Sequence, residues 1–315
     1  MVNKEYFLFI FCSFFIGWIA SGLYRDYQHP TEIVQTKISS ELENKPSYFT
    51  PPSNNEIPND IFGSLVRKGY EIFIHTQEKA NDYVGNGLNC KSCHLDAGRK
   101  PNAMPLWGGY GLYPQYREKN KQIINYIERL QDCFFYSMNG KKPPIDSEIL
   151  TALEAYSHWL SKGVEIDIPP EGASFLKFNP PEQPDYQRGQ AIFNTQCAIC
   201  HSEDGQGQKM GSHYLYPPLW GKNSYNWGAG MGRLDTAAGF IKGNMPLGQE
   251  NSLSDQQAWD VAFFINAHER PQDPRYTGNL AETREKYHNT PYSLYGTQVN
   301  GNLVGLGAHE KITSK

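Results

Sequence analysis

Two short motifs with the pattern Cys-x-x-Cys-His carry the residue types best suited to chemistry in this sequence. Their thiols and imidazoles are Cys90, Cys93 and His94 in the first motif and Cys197, Cys200 and His201 in the second. Thiols three residues apart lie on one side of a helical turn, where both can form thioethers with the vinyl groups of a haem while the adjacent histidine ligates its iron. One such motif could be chance or half of a zinc site. Two of them, each preceded by a Gly-x-x-x-Phe pattern, predict two covalently bound haem c groups.

The ligand on the opposite side of each iron decides the redox chemistry, because a methionine thioether raises the haem potential. After the second motif, Met245 is followed by Pro246 in a loop just before the last helical pattern. We therefore predict Met245 as the distal ligand of the second haem iron, with Met210 and Met231 as its rivals.

One cysteine has no obvious partner. Of the six cysteines, four belong to the motifs, Cys12 lies in the N-terminal apolar segment, and Cys133 is left alone. Structural cysteines outside the cytoplasm are normally paired in disulfides, so a lone thiol in a haem domain is a candidate thiolate ligand. A lone cysteine is also often a small buried hydrophobe. The residues alone leave Cys133, Met104 and Met138 open as distal ligands of the first haem iron.

Basic residues precede this cysteine. They are Arg117, Lys119, Lys121 and Arg129. The stretch 125–136 predicts a helix, on which Arg129 and Cys133 are four residues apart and share a face. A guanidinium is therefore expected at the edge of the first haem pocket. A solvated helix face is the alternative interpretation, and we adopt it for Lys121.

Helical patterns flank both motifs and must position them. The patterns at residues 69–73 and 149–160 enclose the first motif, and those at 189–193 and 258–267 enclose the second. Helix, haem motif, long loops and helix is the order found in small class I cytochromes c. Gly (29) and Pro (21) are abundant, which indicates loop-rich domains rather than a plain helical bundle.

The predicted fold is mainly α and loop-rich, with two class I cytochrome c-like domains that each bind one haem covalently. A chain of 315 residues is long enough for two domains and their tails. The predicted organisation is a signal peptide or N-terminal membrane anchor at 1–24, a linker at 25–58, the first cytochrome domain with the catalytic haem at 59–168, a Pro- and Glu-rich linker at 169–184, the second cytochrome domain with the electron-transfer haem at 185–275, and a C-terminal extension at 276–315.

The N-terminus predicts export. Lys4 precedes an uncharged apolar run at residues 6–24, which is typical of a signal peptide and nearly long enough to span a bilayer. We therefore expect a periplasmic protein, either released or tethered to the inner membrane by this run. The net charge of −4 offers no general attraction for nucleic acid, and no nucleic-acid partner is expected.

With these motifs in this order, the sequence resembles the dihaem thiosulfate dehydrogenases, also called tetrathionate reductases, over roughly residues 60–298. The matching motifs in the first part are CKSCHLDAGR at 90–99, YR at 116–117, ER at 128–129 followed by Cys133, and SMNG at 137–140. Those in the second part are DGQG at 204–207, PPLWG at 217–221, GAGM at 228–231 and NMPLG at 244–248.

The resemblance implies that the active site lies at the first haem, with Cys133 as its distal ligand and Met245 as that of the second haem. It also implies that Arg129 and Ser137 are active-site residues. Lys119 falls where the family usually has arginine, and lysine keeps the charge but not the planar two-pronged contact.

Two further residues follow from the same resemblance. Arg117 is an additional candidate for offsetting the charge of an anionic substrate. Some members carry lysine where this chain has Asn244, and that lysine can compete for the second iron. Asparagine cannot do so easily, so Met245 is expected to stay bound in both redox states.

The implied reaction joins two thiosulfates into tetrathionate with release of two electrons, or runs in reverse. The second haem would pass the electrons to or from a periplasmic cytochrome. Two alternatives belong to other functional classes. A non-catalytic dihaem electron carrier predicts Met138 as the ligand of the first iron, and a dihaem peroxidase needs a labile site that no feature of the sequence demands.

Overall fold

The computed structural model describes residues 48–211 and 213–308. The predicted signal or anchor at 1–24 and most of the linker at 25–58 lie outside the described residues. Among those that are described, no helix combines the length and the apolar character needed to cross a membrane.

Helices and loops dominate the described part of the chain. The longer helices are α1 (Ile61–Ile74), α2 (Tyr126–Asp132), α3 (Glu148–Leu160), α4 (Tyr186–Ile192), α5 (Leu234–Asn244), α6 (Asp255–Asn266) and α7 (Leu280–Tyr287). Short helical turns lie at Asn54–Glu56, Thr76–Lys79, Asn81–Tyr83, Cys90–Ser92, Leu95–Gly98, Leu106–Gly108, Tyr110–Leu112, Ala198–His201 and Gly230–Gly232. The antiparallel hairpins pair β1 (Gln115–Arg117) with β2 (Gln122–Ile124), β3 (Gln208–Met210) with β4 (His213–Tyr216), and β5 (Gln298–Val299) with β6 (Asn302–Leu303). This architecture confirms the predicted mainly α, loop-rich fold.

The helices that enclose each haem motif cross at a glycine. Helix α1 packs against α3, where a Cβ atom at Gly69 would lie 1.9 Å from the carbonyl oxygen of Ala152. Helix α4 packs against α6 in the same way, and a Cβ atom at Gly189 would lie 2.0 Å from the carbonyl oxygen of Asp260. Because only glycine permits so close an approach, the Gly-x-x-x-Phe pattern has the same structural cause in both places.

One predicted helix differs from the structure. The pattern over 125–136 predicted a continuous helix, but α2 ends at Asp132 and the chain continues as a π-helical turn, Cys133–Ser137. The Met138 amide donates to the Cys133 carbonyl at 3.0 Å, which is the wider i to i+5 spacing. Such turns often occur at functional sites because they change the direction of the side chains that follow.

The described residues form two large hydrophobic cores, within residues 57–173 and 193–304, and a small cluster of Tyr136, Tyr225 and Ala229. We call residues 48–173 the first half and the described residues from 174 onward the second half. The large buried side chains of the first core include Trp107, Phe134, Tyr156 and Trp159, and those of the second include Phe193, Trp259, Phe264 and Tyr295. Tyr295 and Val304 come from the predicted C-terminal extension, so that segment forms part of the second core. The predicted domain boundaries stay a prediction.

The two halves are joined by polar contacts close to both predicted distal ligands. These contacts include Asn86 Nδ2 to Ser224 O (3.1 Å), Asn226 Nδ2 to Phe135 O (2.9 Å), Asn244 Nδ2 to Asn102 O (2.9 Å) and Lys100 Nζ to Glu250 Oε1 (2.5 Å). Phe135 lies in the π-helical turn that starts at Cys133, and Asn244 precedes Met245. Each half therefore contacts the segment that carries the other half's predicted distal ligand.

Candidate active site and haem sites

The proximal histidines are held in the same way in both halves. His94 Nδ1 donates to the Met104 carbonyl at 2.7 Å, and His201 Nδ1 donates to the Pro217 carbonyl at 2.9 Å. Burial lowers the pKa of both imidazoles, which favours the neutral form that ligates metal. With Nδ1 engaged, Nε2 is left as the atom that can bind iron.

The two carbonyl acceptors occupy matching sequences, MPLWG at 104–108 and PPLWG at 217–221. Met104 is therefore the counterpart of Pro217 and belongs to the proximal side of its site. This placement argues against Met104 as a distal ligand, a possibility that the sequence had left open.

The motif thiols are buried beside Cys133. Burial, with a smaller contribution from the charge of a Cys133 thiolate, raises the pKa of Cys90 to about 12 and that of Cys93 to about 11. These values describe the free thiols, because a thioether does not titrate. In the second half, burial raises the pKa of Cys197 to about 11.

Arg129 and Cys133 form a directly bonded pair. Arg129 Nη1 donates to Cys133 Sγ at 3.1 Å, across one turn of helix from α2 into the π-helical turn. The negative charge of the thiolate raises the pKa of Arg129 above its ordinary value. The thiolate is the form of cysteine that ligates iron and attacks sulfur.

Lys119 lies in the turn between β1 and β2. Its Nζ atom is 3.4 Å from the centroid of the Tyr136 ring, in the same π-helical turn as Cys133. Burial lowers the pKa of Lys119 well below its ordinary value, and the positive charges of Arg275 and Arg129 lower it further. The structure thus brings Lys119 to the site that Arg129 and Cys133 form.

Arg117 lies on β1, half-buried, near Tyr113. Burial raises the pKa of Tyr113, while the charges of Arg129 and Arg117 act to lower it. The two arginines therefore share Tyr113 as a neighbour, and Tyr113 is a site residue that the sequence did not suggest. Lys121 is exposed and pairs with Glu118, as expected for a solvated side chain.

Ser137 ends the π-helical turn, and its carbonyl accepts a hydrogen bond from Asn86 Nδ2 at 3.0 Å. The next residue, Met138, is only 3% exposed and belongs to the first hydrophobic core. Arg99 ends the CKSCHLDAGR motif, and its guanidinium donates to the Pro52 carbonyl at 2.9 Å and lies over Trp159. Arg99 therefore anchors the segment at the start of the first half.

Met245 follows the last residue of α5, is half-buried and packs against the second core. Its rival Met210 is 70% exposed on β3, and Met231 lies in a short helical turn at the edge of the same core. Asn244 is fully buried, and its Nδ2 donates to the carbonyls of Asn102 and Phe240.

A buried guanidinium supports the fit of haem to this chain. Arg270 is fully buried between the rings of Tyr225 and Trp227, 4.3 and 5.1 Å from their centroids. Its Nη atoms donate to the carbonyls of Leu219 and Ile265, and within residues 48–211 and 213–308 its Nε has no partner. A buried cation without an anion is costly, and a haem propionate would supply that anion.

Comparison with known proteins decides the family. Residues 79–166 match the SoxA/TsdA cytochrome c domain, and residues 186–269 match the cytochrome c family. The thiosulfate dehydrogenase of Thiomonas intermedia (strain K12) is 52% identical over 262 residues, which cover 82% of this chain and 83% of that protein. The chain belongs to the thiosulfate dehydrogenase family. This membership confirms the resemblance found in the sequence.

Two further comparisons support this family membership. The thiosulfate dehydrogenase of Stutzerimonas stutzeri (strain A1501) is 52% identical over 264 residues, which cover 83% of this chain and 86% of that protein. The structure of thiosulfate dehydrogenase (TsdBA) from Marichromatium purpuratum superposes with a TM-score of 0.81 at 42% identity and covers 83% of this chain. The chain spans 58% of the length of that protein. The two cytochrome c domains of this family member imply covalently bound haem c.

The structure also brings to the site residues that the motifs did not reveal. Arg275 comes from the end of the second predicted domain, yet its Nη1 donates to the Lys119 carbonyl at 3.3 Å. Tyr136 lies beneath Lys119 in the π-helical turn. No spacing in the sequence signals either contact, because the first depends on how the two halves meet and the second on how the β1–β2 turn packs within the first half.

Proposed function

We propose that this family member interconverts thiosulfate and tetrathionate at the site built around Cys133. Two thiosulfate dianions become one tetrathionate dianion and two electrons, and the reverse reaction uses the same groups. The observation that carries the proposal is the 3.1 Å hydrogen bond from Arg129 Nη1 to Cys133 Sγ, which pairs a thiolate with a cation inside the first haem domain. A thiolate is suited to making and breaking sulfur–sulfur bonds.

Two haem c groups, one per motif, are part of the proposal. The thioether and proximal positions are Cys90, Cys93 and His94 in the first half and Cys197, Cys200 and His201 in the second. Cys133 and Met245 would hold the distal positions. When bound, the haems accept or supply the two electrons of the reaction, one each.

The site residues offset the charge of the substrate. Two dianions repel each other, so cations placed beforehand lower the barrier to their meeting. Arg129 and Lys119 supply this charge next to Cys133, with Arg117 at the rim and the Ser137 hydroxyl as a neutral donor. An incoming dianion favours the protonated form of Lys119 and counteracts the lowering of its pKa by burial.

The covalent step is simplest to describe for tetrathionate consumption. The Cys133 thiolate attacks one inner sulfur of tetrathionate, a bond forms between that sulfur and Sγ, and the inner sulfur–sulfur bond breaks. Its electron pair leaves with the first thiosulfate. Two electrons then cleave the new bond, which restores the thiolate and releases the second thiosulfate. Thiosulfate oxidation reverses these steps.

The location and the electron partner complete the proposal. The apolar run at 6–24 after Lys4 supports export to the periplasm, with the run either removed or kept as an inner-membrane tether. The second half would exchange electrons with a periplasmic cytochrome, because its predicted methionine ligand suits a group that transfers electrons without binding substrate.

The test replaces Cys133 by alanine and by glycine. Thiosulfate oxidation is followed with ferricyanide, tetrathionate reduction with a reduced viologen, and haem attachment by denaturing gel and haem stain. We expect loss of turnover in both directions with both haems still attached. Turnover retained by either variant would rule out the sulfur-transfer step.

A matched variant separates this proposal from a non-catalytic electron carrier. The carrier predicts Met138 as the first iron's ligand, whereas the structure buries Met138 in the first core. We expect Met138→Leu to keep both its activity and the low-spin thiolate signature in the electron paramagnetic resonance spectrum. If Met138→Leu alters that spectrum and Cys133→Ala does not, the carrier is the better interpretation.

A further inference from the structure

A segment at the end of the second core reaches back to the active site of the first half. Arg275 Nη1 donates to the Lys119 carbonyl at 3.3 Å, and the guanidinium lies 5.1 Å from the centroid of the Tyr136 ring. The guanidinium also lies 4.4 Å from the centroid of the ring of Tyr287, at the end of α7. The second half therefore contributes a planar cation to the surroundings of Lys119.

Arg275 is itself held rigidly. Its Nε and Nη2 atoms donate to both carboxylate oxygens of Asp273, at 3.0 and 2.7 Å. His288 Nε2 donates to the same carboxylate at 2.9 Å. Burial acts to raise the pKa of Asp273, but the hydrogen bonds from His288 and Arg275 outweigh it and hold that pKa well below its ordinary value. The orientation of Arg275 is thus fixed before any substrate arrives.

Lys119 is held at both ends. Its ammonium rests on the face of Tyr136, and its backbone carbonyl accepts from Arg275. The next residue is fixed as well, because Asn120 Nδ2 donates to Asp132 Oδ2 at 2.8 Å. Lysine is a point charge on a flexible stem, so these contacts supply a rigidity that the side chain lacks.

Mutual attraction does not explain why the two cations lie together. Arg275 and Lys119 repel each other, and the positive charge of Arg275 adds to the lowering of the Lys119 pKa. Asp273 is already paired with Arg275 and His288, and Asp132 is paired with Lys142 at 3.0 Å. Among the ion pairs of the described residues, none involves the Lys119 ammonium. That cation is therefore available to an anion.

We propose that Arg275 is a positioning residue, which holds the β1–β2 turn so that the Lys119 ammonium faces the substrate anion bound near Cys133. This inference rests on the proposed role of Lys119 in binding thiosulfate. If Arg275 has this role, the segment after α6 contributes to the affinity of the first half for its substrate. The backbone permits this arrangement at Gly228, where a Cβ atom would lie 2.5 Å from the Tyr136 ring and 3.1 Å from Asp273 Oδ1.

The first experiment measures kcat and KM for thiosulfate with the haem-loaded Arg275→Gln variant. We expect KM to rise about tenfold, the effect of losing one charge-assisted hydrogen bond, while kcat changes much less. Arg233→Gln is the matched control, because Arg233 also pairs with an aspartate two residues away and lies over a tyrosine ring, but in the second half. It should leave KM unchanged. A KM for Arg275→Gln within twofold of the wild type overturns the proposal.

A double-mutant cycle distinguishes positioning from general support of the fold. We expect Lys119→Met to raise KM and the addition of Arg275→Gln to cause no further rise. Effects that multiply would show that Arg275 acts independently of Lys119 and would overturn the inference alone. An unchanged KM in Lys119→Met would instead remove the proposed role of Lys119, and the inference with it.

A second variant covers the case in which Arg275→Gln does not fold. Arg275→Lys keeps a positive charge beside Asp273 but cannot also reach the Lys119 carbonyl with a planar fork. We expect its KM for thiosulfate to rise as in Arg275→Gln. A wild-type KM for Arg275→Lys would mean that only the charge matters, which contradicts positioning through the carbonyl.

Discussion

In the first half, His94 is held by the Met104 carbonyl at 2.7 Å, and in the second half His201 is held by the Pro217 carbonyl at 2.9 Å. The sequences around the acceptors match, and the helices that enclose each motif cross at a glycine. The other side of each site shows no such match. In the first half an Arg129–Cys133 pair lies in a π-helical turn, whereas in the second Met245 follows the end of α5.

This difference shows which part of the domain carries the specific chemistry. The proximal side and the helix crossing are needed to attach and hold a haem, so they are the same in both halves. In the proposed function, the distal segment would decide whether a reactive thiolate or a neutral thioether ligates the iron. A change confined to that segment can therefore separate a catalytic site from an electron-transfer site on one scaffold.

The largest effect is expected when the predicted distal ligand of the first haem is replaced by methionine, the residue type predicted for the second haem. Cys133→Met should lower turnover by at least about 10³-fold, because the thioether cannot form a sulfur–sulfur bond. The potential of the first haem should rise at the same time, because a neutral ligand stabilises the ferric state less than a thiolate does. Turnover assays and redox titration of both haems check this. Wild-type turnover in this variant would show that the distal sulfur is not the catalytic group.

A second prediction tests the similarity of the helix crossings. Gly69→Ala and Gly189→Ala each place a Cβ atom within 2.0 Å of a backbone carbonyl oxygen on the partner helix. Each should lower the free energy of unfolding by about 2–3 kcal/mol through overpacking. Denaturant unfolding of the haem-loaded protein measures this. Gly230→Ala is the control, because nothing lies within 4 Å of a Cβ atom there. Clearly unequal losses in the free energy of unfolding of Gly69→Ala and Gly189→Ala would contradict the similarity of the two helix crossings.

A third prediction concerns the second distal side. Asn244 is fully buried, so a lysine there cannot keep a charged ammonium without cost and, as a neutral amine, should replace Met245 as the ligand of the iron. Asn244→Lys should therefore lower the potential of the second haem by roughly 100 mV or more, within the ~0.8 V range that axial ligands span. Asn244→Gln, which offers no such ligand, is the control. An unshifted potential in Asn244→Lys would count against Met245 as the distal ligand.

The sequence predicted the parts of the fold that follow from local pattern. The apolar pattern at 149–160 coincides with α3 (Glu148–Leu160), and the pattern at 258–267 covers most of α6 (Asp255–Asn266). Arg129 and Cys133 are in contact as predicted, because residues four apart still lie on the same face at the junction of α2 and the π-helical turn. The turn itself was missed, because hydrophobic periodicity does not distinguish one wide turn from a regular one.

Contacts between the halves were beyond such prediction. Arg275 and Lys119 are 156 residues apart, and their contact depends on the docking of two surfaces rather than on any repeated spacing. The carbonyl role of Met104 was also hidden, because a methionine next to a proline suggests a thioether ligand when only side chains are considered. Comparison of residues 104–108 with 217–221 was the signal that could have revealed it.

The smallest effect is expected from removing the salt bridge between Lys100 and Glu250. This pair joins the proximal side of the first site to the predicted distal side of the second. Lys100 precedes the loop that holds His94, and it pairs at 2.5 Å with Glu250, in the loop after Met245. The hydrogen bond from Lys100 lowers the pKa of Glu250 from 4.5 to about 2. Both side chains are partly exposed, so the pair should contribute less than about 1 kcal/mol.

The sign of the pH dependence follows from the lowered pKa. A carboxyl group whose pKa falls on folding contributes its stabilisation above the unfolded value of 4.5 and loses it as the pH drops through about 2. Glu250→Gln should therefore be less stable than the wild type at pH 6, with the difference vanishing near pH 2. Glu78→Gln, which removes a more exposed pair with Lys79 inside the first half, should show a smaller difference, because solvent screens that pair. A gap between Glu250→Gln and the wild type that persists unchanged into acid would mean that the charge of Glu250 does not join the halves, and that their docking rests on the uncharged contacts at Asn102 and Asn226.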